Sequence, residues 1–195
     1  MRAFFFILHI NKHLNYGVQF SYNASDNLNF VYSLQYGNQA LINDTINQSL
    51  LYNNFGIDYK VTDKISLLAE ADYGIQKGVF GLADKTESFY GAFIAAQYEM
   101  LKSFYIKGRY EMFKDETGFM TGNLLEQHGF LASNYWKGYG MDINGYSFVL
   151  EYRPIENMYI KGEYRYLQAK EGQRIFNNNT EESVKYIILN TGIRF

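Results

Sequence analysis

The chain contains no cysteine, a single proline and three histidines, and each scarcity removes a class of protein. Without cysteine there is neither a disulfide scaffold nor a thiolate metal site. His9 and His13 stand at HxxxH spacing in HINKH, but no HExxH motif or third ligand in pattern accompanies them and His128 is isolated, so a metal centre has little support. No apolar run approaches the roughly 18 residues that a membrane-spanning helix requires. A net charge of -2 supplies no electrostatic footprint for nucleic acid. Helical periodicity is also absent, and no nucleophile motif accompanies the serines, so enzyme chemistry has little to stand on.

What the chain has instead is aromatic residues and glycine: 19 Tyr, 16 Phe and 17 Gly. That composition favours pleated sheet over helix. Nine segments alternate with period two and predict strands at 14–24, 27–38, 47–60, 64–77, 87–100, 103–113, 143–153, 157–169 and 183–195. Short turns are expected at Ala24-Ser25-Asp26, Val61-Thr62-Asp63, Leu101-Lys102 and Pro154-Ile155-Glu156, the last absorbing the proline. They alternate strictly with longer loops at 39–46, 78–86, 114–142 and 170–182, so all short turns lie at one end.

The two parities of these strands differ sharply. In YIKGRYEMF (105–113), Lys107, Arg109 and Glu111 share one face, while Ile106, Gly108, Tyr110 and Met112 share the other. The pattern recurs in YIKGEYRYL (159–167), where Lys161, Glu163 and Arg165 take the charged parity. Glu99 and Glu151 belong to that face in the neighbouring strands. The opposite face is almost wholly apolar, with tyrosines bracketing it at Tyr16 and Tyr22, Tyr90 and Tyr98, or Tyr146 and Tyr152.

Alternation alone fits a soluble barrel or a membrane barrel equally well. Strand length decides: about 11 residues, tilted by about 45°, span the roughly 25 Å apolar band of a transmembrane barrel. The bulk of the apolar face would overfill a small lumen, and the bracketing tyrosines suit interfacial girdles. The expected fold is therefore all-β, an antiparallel up-and-down transmembrane barrel with nine clear strands and an N-terminal tenth in question.

Residues 14–195 form the barrel in this reading, and 1–13 stand apart. MRAFFFILHI carries one Arg and an apolar run like a shortened signal peptide, yet no small-x-small cleavage pattern follows. A strand or the start of a fragment fits it better, although its apolar character on both parities makes a poor barrel strand.

Three stretches, NYGVQFSYNASDNLNFVYSLQYGN (15–38), FYGAFIAAQYEMLKSFYIKGRYEMFKDETGFMTG (89–122) and FVLEYRPIENMYIKGEYRYLQA (148–169), resemble the OmpL-like β-barrel porins. The Arg109-Tyr110-Glu111 strand followed by Asp115, Gly118 and Gly122 is the most specific part. The resemblance covers nearly everything from Asn15 to Phe195 and implies an outer-membrane pore protein of a Gram-negative bacterium. Members of that family are longer, which makes this chain look like a C-terminal portion of one, or a shortened member.

The functional expectation is a non-enzymatic porin-like channel for passive diffusion of ions or small solutes, without cofactor. Glu99, Lys107, Arg109, Glu111, Glu151, Lys161, Glu163 and Arg165 are the candidate pore lining. Hairpin register should set Lys107, Arg109 and Glu111 beside Gln97 and Glu99, and Lys161, Glu163 and Arg165 beside Glu151 and Ser147. The same charges could instead pair off to fill the interior. In the loop 114–142, Phe119, Phe130, Tyr135 and Trp136 could fold inward as a constriction.

Short turns would be periplasmic and long loops extracellular, as in outer-membrane barrels. Phe195, an aromatic ending the last strand, resembles the signal read by the barrel assembly machinery. Expected partners are outer-membrane lipid, that machinery and the solutes; oligomeric state is not encoded. Two alternatives stay open: a non-conducting anchor or surface-binding barrel, and an outer-membrane protease built on His128 with Asp115, Glu116, Glu126 and Asp142.

Overall fold

Alternating side chains fix one residue per pleat, and hydrogen bonding between consecutive hairpins does the rest. The computed structural model describes residues 2–8, 14–40, 45–121, 140–177 and 180–193. Ten strands run in chain order: β1 (Arg2–Leu8), β2 (Asn15–Ser25), β3 (Leu28–Asn38), β4 (Ser49–Lys60), β5 (Ile65–Lys77), β6 (Thr86–Leu101), β7 (Phe104–Asp115), β8 (Met141–Ile155), β9 (Met158–Ala169) and β10 (Ser183–Ile193). All pair antiparallel with their sequence neighbours in one meander sheet. Among the described residues no ladder joins β10 to β1. The apolar N-terminal segment thus supplies a tenth strand, with Arg2 opposite Ser21 and Leu8 opposite Asn15. Ladder bonds come from the backbone, so strict side-chain alternation is not a precondition.

Burial in this sheet is inverted relative to a water-soluble fold. Along β8, Tyr146, Phe148 and Leu150 are 51%, 48% and 54% exposed, whereas the intervening Gly145, Val149 and Glu151 are buried. The strands from β2 to β9 repeat the contrast: Tyr16, Phe20, Tyr22, Tyr32, Phe55, Tyr59, Tyr73, Ile94, Tyr98, Tyr110 and Tyr164 all stand outside. A chain that turns its aromatics outward and its glutamates inward is adapted to a solvent less polar than its own interior. The outer face is most polar toward the long-loop end, where Asn53, Lys114, Asp142, Asn144 and Gln168 lie. Tyr32 and Tyr110 donate their hydroxyls to Asn53 and Asn144 there, each at 2.7 Å, as amphipathic rings do at an interface.

The short turns fall at 26–27, 61–64, 102–103 and 156–157, a residue or two beyond the expected positions. Pro154 consequently lies inside β8 and not in the turn. It occupies a register shift between Tyr152 and Ile155, where the missing N–H breaks no regular ladder bond. The β2–β3 and β6–β7 hairpins carry the same irregularity at Asn23/Ser25 and Glu99/Leu101. Such bulges sharpen the local twist, as curling a sheet requires.

At the long-loop end, two loop segments fold onto the polar face of β4–β7. A short 3-10 turn, Val79–Gly81, and the segment following β7 place Val79 and Phe119, each 2% exposed, against Phe89. Phe119 lies 5.9 Å from Phe89 between ring centroids, and Leu50, Tyr52, Phe113 and Met120 complete the cluster. Phe119 is thus brought inward as expected; Phe130, Tyr135 and Trp136 lie outside the described residues.

Candidate functional site

The inward face of β6 to β9 gathers the charges that the sequence singled out. Register is as expected: Lys107 faces Gln97, Arg165 faces Ser147 and Lys161 faces Glu151. The ion pairs, however, do not follow these direct neighbours. Glu151, with only 5% of its side chain exposed, accepts from Lys107 Nζ at 2.6 Å diagonally across the β7–β8 ladder and from Arg153 Nε at 2.6 Å along its own strand. Both carboxylate oxygens are therefore occupied, and Lys161 directly opposite is left outside the pair.

A second shared acid sits higher on the same face. Glu111 Oε2 accepts from Arg109, two residues away on β7, and its Oε1 from Arg165 on β9. Arg165 and Glu111 belong to strands separated by β8, so their contact crosses Gly145, which lies between Glu111 and Leu167 in the register. A Cβ at Gly145 would stand 2.6 Å from Glu111 Cγ and 2.9 Å from Leu167 Cδ2. Glycine is required by that close approach and not by backbone angle.

Each of these arrangements is one carboxylate between two cations, leaving a net positive charge on the β7–β9 part of the face. The guanidiniums are further fixed by aromatic stacking: Arg109 over Phe93 at 4.7 Å and Arg153 over Tyr105 at 4.3 Å. Lys161 leans over Tyr159 at 5.7 Å. Among the described residues Lys161, Glu163 and Glu99 have no ion-pair partner, although all lie on the inward parity.

Three further members stood outside the expected pore lining. Arg153 was legible as a charge on the right parity, at the end of the strand 143–153, but was not included in the candidate lining. Asp72, inward on β5, accepts from the Tyr52 hydroxyl and from Asn54 Nδ2 at 2.8 Å. Its parity matches Glu70, which would have flagged it. Asp115, fully buried at the end of β7, holds the following segment: it accepts from the backbone N–H groups of Gly118 (3.0 Å), Met120 (2.9 Å) and Thr121 (3.0 Å). That capping is what seats Phe119 on Phe89. The sequence singles Asp115 out only within the family resemblance and as an acid of the protease alternative, not as a cap for the segment after it.

At the short-turn end, Lys60 Nζ donates to Asp63 Oδ1 at 2.8 Å and holds the Asp63 carboxyl below the usual aspartate range. His9, His13, His128, Glu126 and Phe195 lie outside the described residues.

Comparison with known proteins places this geometry in context. The sequence profile of the family described as "Putative beta-barrel porin-2, OmpL-like" matches residues 3–195. No curated protein matches the chain in sequence. Among solved structures, the NanC porin in a rhombohedral crystal form is similar with a TM-score of 0.57 at 10% identity, over 94% of this chain and 79% of that one. At that identity the likeness concerns the fold.

Proposed function

Given that this chain belongs to the OmpL-like β-barrel porin family, and is thereby a porin-type protein of the bacterial outer membrane, we propose that it is a channel through which ions or small solutes diffuse passively. The observation that carries the reading is the inverted burial: charged residues are turned inward and aromatic residues outward. A barrel that only anchored itself would be served equally well by an inert filling. Here the inward face keeps Arg109 43% exposed and Lys107 27% exposed even while paired, so the charges meet water as well as one another.

In this reading Lys107, Arg109, Glu111, Glu151, Lys161, Glu163, Arg165 and Glu99 line the path, with the local excess of cations on β7–β9 facing carboxylates on β4–β6. Short turns face the periplasm, long loops the exterior, and Phe195 is presented to the assembly machinery. No chemical step or cofactor is involved.

The inward cluster of Val79, Phe89 and Phe119 favours a second reading, a barrel narrowed to a non-conducting surface protein. Conductance across planar bilayers separates the two. Stepwise current increments from refolded protein in KCl, with a reversal potential that shifts when Lys161 is changed to Ala, are expected. Silent membranes, with protein shown to be inserted and folded, would leave the anchor reading in place.

A further inference from the structure

The mouth at the short-turn end contains a pocket that the channel reading does not use. It measures about 380 Å³, at the small end of ligand-sized pockets, and collects side chains from β4 through β8. Asp58, Glu99, Tyr105 and Arg153 line it, with Lys60, Asp63 and Lys64 at the adjoining turn.

Its charges are arranged unequally. Lys60 and Asp63 neutralise each other. Arg153 is tied to Glu151 through Nε alone and lies flat on the Tyr105 ring, so its terminal amino groups have no partner among the described residues. A guanidinium immobilised in this way offers a pre-oriented fork for a carboxylate. Across the pocket, Glu99 and Asp58 likewise have no ion-pair partner among the described residues.

The sheet sets the separation. Glu99 on β6 faces Tyr105 on β7, which faces Glu151 on β8, a span of two strand spacings or about 10 Å. Arg153 leans back over the middle strand, which brings its guanidinium toward Glu99 without forming an ion pair with it. A fixed cation and a free carboxylate thus bracket an open volume.

We propose that this mouth is a binding subsite for zwitterionic solutes of amino-acid to short-peptide size. Arg153 takes the carboxylate, Glu99 takes the ammonium, and Asp58 supplements it. A solute carrying both charges would reach from the Arg153 fork, beside Tyr105, to Glu99 within the pocket. The proposal rests on the channel reading only for how solute arrives.

Equilibrium dialysis with folded, detergent-solubilised protein tests it independently of conductance. The probes are triglycine, N-acetyl-triglycine, triglycinamide and N-acetyl-triglycinamide. Triglycine should bind about tenfold more tightly than either singly charged form, since each of those forfeits one charge-assisted contact. Glu99→Gln should erase the advantage over N-acetyl-triglycine, and Arg153→Gln the advantage over triglycinamide. Glu99 has no partner to orphan, so its variant is the gentler test should Arg153→Gln fail to fold. Equal binding of all four probes to the wild-type protein would overturn the subsite. Silent bilayers alongside selective dialysis would overturn the channel reading and leave the subsite standing.

Discussion

Replacing Glu151 by Gln should cost more than removing either of its cations, because one acid serves two. In the native arrangement Lys107 and Arg153 each reach Glu151 at 2.6 Å. A hydrogen bond to a charged group contributes about 1.5–3 kcal/mol. Two such bonds would amount to about 3–6 kcal/mol in a dry interior. The partners are 27% and 39% exposed, however, so freed cations rehydrate and recover part of the loss. Glu151→Gln should therefore destabilise the folded barrel by about 2–3 kcal/mol.

Lys107→Gln leaves Glu151 still bonded to Arg153, and Arg153→Gln leaves it bonded to Lys107. Each should cost about 1 kcal/mol, and the three effects should not add, since they share one carboxylate. Urea unfolding from lipid vesicles, followed by the fluorescence of the single tryptophan, measures the series. Bilayer recordings of the same proteins provide a second readout: Glu151→Gln adds positive charge to the lining and should move the reversal potential toward anions, whereas the cation variants should move it toward cations. If Glu151→Gln proved no more costly than Lys107→Gln, the shared-acid account would be wrong.

Faces and close approaches give further tests. Ile94 is 53% exposed on the outer face and Ala95 is inward on the same strand; Ile94→Arg should lose about 2–4 kcal/mol and fail to assemble, while Ala95→Arg should fold and raise anion preference. Equal assembly of the two, judged by heat-modifiable gel migration, would refute the outward assignment. Gly145→Ala should cost about 1–3 kcal/mol, because a Cβ meets Glu111 Cγ at 2.6 Å and displaces the Glu111 bridge to Arg165. Combining it with Arg165→Gln should then cost little more, as a double-mutant cycle in urea would show. Asp115→Ala removes the acceptor that Gly118, Met120 and Thr121 share; Phe119 should leave Phe89, and single-channel conductance should rise, as it should for Phe119→Ala. An unchanged conductance in both would remove the constriction from the path.

Much of the architecture is legible in the sequence, since period two carries both strand location and face. Nine segments read from alternation correspond to β2–β10, and the parity of Lys107, Glu111, Lys161 and Arg165 holds in the folded sheet. β1 was harder to read because RAFFFIL is apolar on both parities, and alternation says nothing there. Pro154 was misplaced by two residues because a bulge lets a strand tolerate what a regular ladder would not.

The sequence by itself determined that each strand has a charged and an apolar side, that consecutive strands form hairpins, and which residues sit opposite one another across a turn. Local rules suffice for this: the pleat alternates side chains, and short turns pin register. Strand length and bulk also pointed the apolar side outward, as the exposed aromatics bear out; only the tertiary structure decided that Glu151 chooses Lys107 and Arg153 over the directly opposite Lys161, and that Glu111 reaches Arg165 over Gly145. Those outcomes depend on how the sheet curves and which side chains compete for the same two carboxylate oxygens. Neither quantity has a period along the chain.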